Sequence, residues 1–326
     1  LPATFLTQVL LAGAAILCLP RQFHAAIVEA RADADTAIAR WLFPVYLVLF
    51  SLAVIPITLA GLRAFQTAGV AADTFVLALP MSLGNELLAM LAFVGGFSAA
   101  TSMVIVACVA LSTMISNEIV VPSMVRMRAV QGDTLTDFPR LILTARRVAI
   151  VAIALLALAY FKVTDETTAL ASIGLLSFAA AAQFAPLIVL GVYWPGANRI
   201  GALGGLSAGF ALWAFTLFLP ALARSGALPI SIVEQGLFGW SMLRPEALLF
   251  DTGLHPLTHG VLWSLGANVA VLVGVSLSRR QSLIERSQAY TFVGLPDVGG
   301  KLPDVATAGV TIDDLQALAA RFVGAE

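Results

Sequence analysis

The chain has 326 residues, of which 60% are hydrophobic and 11% charged, with a net charge of −1 and a mean hydropathy of +0.94. That composition excludes a water-soluble globular domain and indicates an all-α polytopic membrane protein with the lipid bilayer as its surroundings. The near-zero net charge argues against nucleic acid as a partner.

Seven apolar stretches are expected to form spans, at roughly 3–20, 41–62, 87–117, 147–162, 168–194, 200–222 and 257–278. Cys18 and Cys108 both fall inside them, so no structural disulfide is expected. The sequence opens Leu1-Pro2-Ala3 with neither a start Met nor a basic leader, so no signal peptide is read and a piece of a longer chain is expected.

The first stretch ends in Leu19-Pro20-Arg21-Gln22-Phe23-His24. Proline has no N–H to return to the preceding turn, so a helix breaking here would expose backbone groups to a solute. Gln22 and His24 are then polar groups near membrane depth, or else part of a solvated helix end beside Arg21.

The third stretch is the most patterned. Between Glu86 and Glu118 no residue is charged, yet Ser98, Thr101, Ser102, Ser112, Thr113 and Ser116 are scattered through it. At the helical ~100° per residue all six fall within about 120° of one another. The run would span about 46 Å as one tilted helix. Its hydroxyl stripe has two readings. Ser and Thr bond back to helix carbonyls and act as packing glue, or they ligate a hard cation such as sodium. Gly95-Gly96 would allow close backbone approach or mark a kink.

The fifth stretch carries Gln183-Phe184-Ala185-Pro186, where a mid-span amide either lines a solute path or bonds another helix. Before the seventh, His255 and His259 have the i, i+4 spacing of paired metal ligands, but Pro256 interrupts the turn and only Asp251 accompanies them. An interfacial loop is the better reading, and no metal is expected. Trp41, Trp194 and Trp263 near span ends suit an interfacial belt. No phosphate loop, carboxylate pair or nucleophile elbow is present, so no catalytic site is read.

Arginines set the orientation. Arg21, Arg31 and Arg40 follow span one; Arg126, Arg128, Arg140, Arg146 and Arg147 follow span three; Arg199 follows span five; and Arg279, Arg280 and Arg286 follow span seven. The alternate segments hold only Arg63, Lys162, Arg224 and Arg244. The excess places the first set and the C-terminus in the cytoplasm. Residues 281–304 read as a polar linker. From Thr311, capped with Asp314 at the capping-box position, an amphipathic helix presents Ile312, Leu315, Leu318, Ala319 and Phe322 on one face.

Three groups of residues carry a family resemblance: 19–28 (Leu-Pro-Arg-Gln-Phe-His-Ala-Ala-Ile-Val), 97–106 with 111–122, and Gln183-Phe-Ala-Pro with 194–205. On these the chain resembles the C-terminal half of a sodium:solute symporter family domain, of the type fused to bacterial sensor histidine kinases. The resemblance covers about residues 1–280, and the segment 305–326 is similar to the start of the helical linker component that leads to the signalling part.

The resemblance implies an inverted-repeat, LeuT-like bundle in the bacterial inner membrane, here core helices six to ten and two peripheral helices. It implies a sodium-like site on the third span with Thr101 and Ser102 as hydroxyl ligands and Ala99 supplying a carbonyl, while Met103 stands where one further hydroxyl is expected. It places Gln22, His24 and Gln183 along the substrate path. The implied partners are a small solute such as an amino acid, a coupled sodium ion, and the cytoplasmic kinase domains of the same chain. The function implied is the input module of a two-component sensor kinase. A stand-alone sodium-coupled symporter and a helical bundle without a coupled ion are the alternatives.

Overall fold

The structure, a computed structural model, describes residues 3–30, 33–66, 69–124, 138–163, 170–236, 239–250, 252–279, 281–282, 285–286, 289 and 293. The amphipathic helix expected from Thr311, and most of the 281–304 segment, lie outside the described residues.

The described residues are helical throughout, joined by short turns. In chain order they form α1 (Ala3–Cys18), α2 (Pro20–Phe23), α3 (Asp33–Ala64), α4 (Phe75–Ser82), α5 (Glu86–Ile115), α6 (Phe138–Val163), α7 (Leu170–Ala181), α8 (Ala185–Tyr193), α9 (Arg199–Trp213), α10 (Leu219–Arg224), α11 (Ser231–Glu234) and α12 (Pro256–Ser278). Six continuous runs are long and apolar enough to cross a membrane, and α1 with α2 makes a seventh if that bent pair is one span. These runs overlap the seven stretches read from the sequence, but two begin well before them. α3 starts at Asp33 instead of 41 and α6 at Phe138 instead of 147, so Arg40 rides on α3, and Arg140, Arg146 and Arg147 on α6, instead of in the loops. Long arginine stems lie along apolar surface while the charged head reaches the interface, which lets a span begin within a basic segment.

Prolines punctuate the bundle. Pro20, Pro186 and Pro220 each stand in the first turn of a new helical piece, where the missing N–H costs nothing. Two π turns, Ser116–Val120 and Ala214–Phe218, sit just ahead of Pro122 and Pro220. The wider turn accommodates the backbone bond that the proline cannot make.

The core lies where α1, α7, α9, α10 and α12 meet. Leu11 and Ala14 of α1 pack with Ala179, Ala182, Leu217 and Val261, and Leu176, Trp213 and Leu265 close over them. α9 and α12 form the tightest helix pair. Gly201, Gly205 and Gly209 recur every fourth residue and turn one bare face of α9 toward α12. A Cβ added at these positions would fall 2.2 Å from Ser276 Oγ, 2.6 Å from the Asn268 carbonyl oxygen and 2.3 Å from Gln183 Oε1. Small residues at every fourth position allow this backbone approach, where dispersion and short polar contacts replace the hydrophobic effect that lipid does not supply.

The other helices are held more loosely. α5 packs against α2, α4 and α6. α3 is exposed along most of its length; Ile57 is half-buried, and Gly61 is buried where the Phe75 ring of α4 sits on the bare backbone and stacks on Phe65 at 5.9 Å. The carboxylate of Asp73, in the turn before α4, accepts the Leu170 N–H at 2.9 Å and so ties that turn to the start of α7. An acidic group there also suits the positive end of the helix.

Candidate functional site

The first break is where the sequence places it. Leu19 is extended (φ −74°, ψ 125°), and the axes of α1 and the following segment diverge by 57°. Pro20 cannot donate to the Ile16 carbonyl, so the ladder of α1 stops there. α2 then runs into a π turn, His24–Val28, and packs against α5. Gln22 and His24 are both half-buried on this segment. His24 Nε2 lies 3.3 Å from Glu29 Oε1, a pairing the five-residue π turn brings onto one face.

On α5 the six hydroxyls share a side but not an environment. Ser112 and Ser116 are buried, Thr113 is half-buried, and Ser98, Thr101 and Ser102 are exposed. Ser112 Oγ donates to the Val109 carbonyl at 3.0 Å, whereas Ser116 Oγ is buried without a partner. The exposed three lie with Val94, Phe97, Ile105 and Val106 on one open face of α5, which no other helix borders among the described residues. Thr101 Oγ1 donates its proton to the Phe97 carbonyl at 2.8 Å, which leaves oxygen lone pairs turned away from the helix. The helix passes Gly95-Gly96 unbroken, and an added Cβ at either would meet nothing within 4 Å. Ala99 and Met103 are exposed as well. Thr101 and Ser102 are neighbours on this open face, and among the described residues no side chain from another helix joins them there.

Gln183 is fully buried. It sits in a 3-10 turn, Ala182–Phe184, that separates α7 from α8 just ahead of Pro186. Its Nε2 donates to the Ala179 carbonyl at 3.3 Å and to Ser264 Oγ at 3.0 Å. Asn268 Nδ2 donates to the Gln183 carbonyl at 2.8 Å and to Gln183 Oε1 at 3.2 Å. Asn268 Oδ1 has no partner and faces the Gly205 backbone, where an added Cβ would lie 3.0 Å away. The interhelical bond is thus the observed engagement of Gln183. Its partners Ser264 and Asn268 are four residues apart on α12, a spacing present in the sequence but not read there as a site.

A second polar seam closes the other end of the α9–α12 pair. Asn198 Oδ1 caps α9 by accepting the Gly201 N–H at 2.7 Å, and its Nδ2 donates to the Ser276 and Arg279 carbonyls at 3.4 and 3.3 Å. Beyond α12, Gln281 Nε2 donates to the Pro195 and Ala197 carbonyls at 2.6 and 2.7 Å. Ser282 and Glu285 form a reciprocal capping box, and Glu285 Oε1 also accepts the Arg199 N–H at 3.1 Å. These backbone N–H groups, first Ser282 and then Arg199, hold the Glu285 carboxyl below its usual range. The first residues after α12 are thereby fastened to the α8–α9 turn.

The two histidines at the start of α12, His255 at its N-cap and His259 in its first turns, act separately. His255 Nδ1 accepts the Leu257 N–H at 3.3 Å and caps the helix, while the buried His259 accepts the Leu248 N–H at Nε2 (3.0 Å) and meets Thr252 Oγ1 at Nδ1 (3.0 Å). His259 thus anchors the loop that precedes α12. Among the described residues no group of three His, Cys, Asp or Glu could hold a metal ion. No family model matches the chain, and no curated protein or solved structure matches it.

Proposed function

We propose that the chain is a membrane-embedded solute-recognition domain resembling sodium:solute symporters, and that it serves as the input module of a sensor histidine kinase. The observation that carries this reading is the discontinuous first span. A helix broken by 57° at Leu19-Pro20 packs its second piece against α5, the helix that carries Thr101 and Ser102 on an open face. Broken helices beside a polar helix face are how inverted-repeat transporters create ion and solute sites at membrane depth.

In this reading Thr101 and Ser102 give a hard cation such as sodium two hydroxyl oxygens. Such an ion takes about six oxygens, and the Ala99 carbonyl lies within the continuous ladder of α5. The remaining ligands then come from a surface that packs on this face of α5. Gln22 and His24 stand where the break frees backbone groups, and Gln183 ties the 3-10 turn within the Leu170–Tyr193 span to α12. The fastening of residues 281–285 to the α8–α9 turn supplies a stiff route from the bundle to whatever follows α12, and cytoplasmic kinase domains of the same chain are the occupants we propose. The arginine distribution supports a cytoplasmic C-terminus in the bacterial inner membrane.

The kinase assignment is tested by the reading frame beyond Glu326 and by signalling. A phospho-accepting His and an ATP-binding domain downstream are expected, as is uncoupling of kinase output from solute when residues 305–326 are deleted. A frame that stops soon after Glu326 favours the stand-alone symporter instead, and a normal response in the deletion variant removes the linker role.

A further inference from the structure

A cavity of about 490 Å³ lies at one rim of the bundle, where the last turn of α6, the first turn of α7, the end of α10 and the cap of α12 converge. None of Gln22, His24, Thr101, Ser102 and Gln183 lines it. Its volume lies in the range of small-molecule sites, about 300–1,000 Å³. The wall is largely apolar, led by Leu176, Leu217, Leu222 and Leu257, and its charged groups are Arg224 and Glu246.

The rim is built. Arg224 closes α10 and its guanidinium is ion-paired with the Glu246 carboxylate. Glu246 belongs to a 3-10 turn, Pro245–Ala247, in which Pro245 is fully buried. The same loop is pinned at Leu248 by His259. The ion pair engages one nitrogen of Arg224 and one oxygen of Glu246. His255, which also lines the cavity, accepts the Leu257 N–H at Nδ1, so the neutral ring carries its proton on Nε2.

We infer that this cavity binds a compact zwitterion with an apolar body. The anionic group sits on Arg224 and the His255 Nε2–H, the ammonium sits on Glu246, and the apolar part lies against the leucine wall. A simple anion would face the Glu246 carboxylate and compete with it for Arg224, and a simple cation would have the converse conflict, whereas a zwitterion extends the existing pair into alternating charges. Two sources carry this chemistry: a free apolar amino acid, and the headgroup of an ethanolamine phospholipid at the level of the helix ends. The inference stands apart from sodium coupling and kinase output, since it is read by binding alone.

The test uses the purified protein in phosphatidylglycerol nanodiscs, whose lipid has no ammonium. L-Leucine, 4-methylpentanoate (anion only) and isopentylamine (cation only) are titrated by calorimetry, and retention of added phosphatidylethanolamine is read by native mass spectrometry. Binding of leucine or retention of the ethanolamine lipid is expected, with the single-charge compounds at least about tenfold weaker. Glu246→Gln and Leu176→Trp are each expected to weaken zwitterion binding by about tenfold or more. The second variant leaves the ion pair in place and fills the cavity, and thermal melting verifies that both fold. A leucine signal assigns the free solute, and lipid retention without it assigns the headgroup. If neither zwitterion binds, if both variants bind as the unmodified protein does, or if a single-charge compound binds equally well, the inference is overturned.

Discussion

Asn268 on α12 donates both protons of its side-chain amide to one residue, Gln183, meeting its backbone carbonyl at 2.8 Å and its Oε1 at 3.2 Å. Because Gln183 occupies the 3-10 turn between α7 and α8, this bond ties the middle of that span to the helix that also packs on the bare face of α9. Removing the Asn268 amide strands two buried acceptors, and an unsatisfied buried polar group costs about 1–3 kcal/mol. Asn268→Ala is therefore expected to destabilise the protein by that order in reversible denaturant unfolding from bicelles. Because the partners act on each other, the Gln183→Ala and Asn268→Ala effects are expected to combine with a coupling energy of about 0.5–1.7 kcal/mol. Strict additivity in the double-mutant cycle would show that the two amides do not stabilise each other.

The glycines on α9 and α5 are expected to respond in opposite ways. At Gly205 a methyl group would lie 2.6 Å from the Asn268 carbonyl oxygen, backbone that cannot move aside locally. Gly205→Ala is thus expected to separate α9 from α12 and to lower stability by about 1–3 kcal/mol. At Gly95 an added methyl meets nothing within 4 Å, so Gly95→Ala is expected to be neutral or to stabilise α5 by up to about 1 kcal/mol through helix propensity. Thermal melting of the two variants in one detergent distinguishes them, and a larger loss at Gly95 would contradict the packing described.

The fastening after α12 should depend on pH. The Glu285 carboxyl is held below its ordinary value of 4.5 by hydrogen bonds to its ionised form, from Ser282 first and Arg199 second. A group whose folded pKa is depressed contributes fully above its unfolded pKa and loses that contribution as pH falls through the folded one. Protection of the Arg199 and Ser282 amides from hydrogen exchange, corrected for the intrinsic rate, is accordingly expected to be constant near neutrality and to fall as pH drops below about 4.5. Glu285→Gln should give lower protection at neutral pH without that acid-dependent step.

Much of the architecture is legible in the sequence because it is local. Apolar runs locate the spans, and Pro20 breaks its helix through the donor it lacks, whatever surrounds it. Arg140, Arg146 and Arg147 misplace the start of α6 because charge reads as loop, although a long side chain can ride a membrane helix. The hydroxyl register on α5 is visible as an angle, but angle carries no depth. Ser112 and Ser116 are covered by packing, while Thr101 and Ser102 are not. An interhelical bond is one of the two readings the sequence allows for Gln183, but its partner Asn268 is not legible because it lies 85 residues away. Gly201, Gly205 and Gly209 display their spacing openly, yet only the fold shows that they face Ser276, Asn268 and Gln183.

Pro20 offers a direct test of the first break. Pro20→Ala restores an N–H for the Ile16 carbonyl and removes a steric reason for the 57° bend. The variant is expected to be as stable as the unmodified protein, or more so, and to lose solute response. Distance measurements by electron resonance between spin labels on α1 and at Val28 should report a longer, straighter segment. An unchanged distance would show that packing against α5 sets the bend, and retained solute response in a straightened variant would remove the break from the mechanism.

The proposal that Thr101 and Ser102 ligate the coupled cation is tested most directly by amino-acid uptake into proteoliposomes containing the complete protein, with sodium varied against choline. Uptake that rises with sodium in the unmodified protein, and loses that dependence when Thr101→Ala and Ser102→Ala are combined, is the expected result. Uptake with the same sodium dependence in the double variant would place the cation elsewhere and contradict the reading of α5.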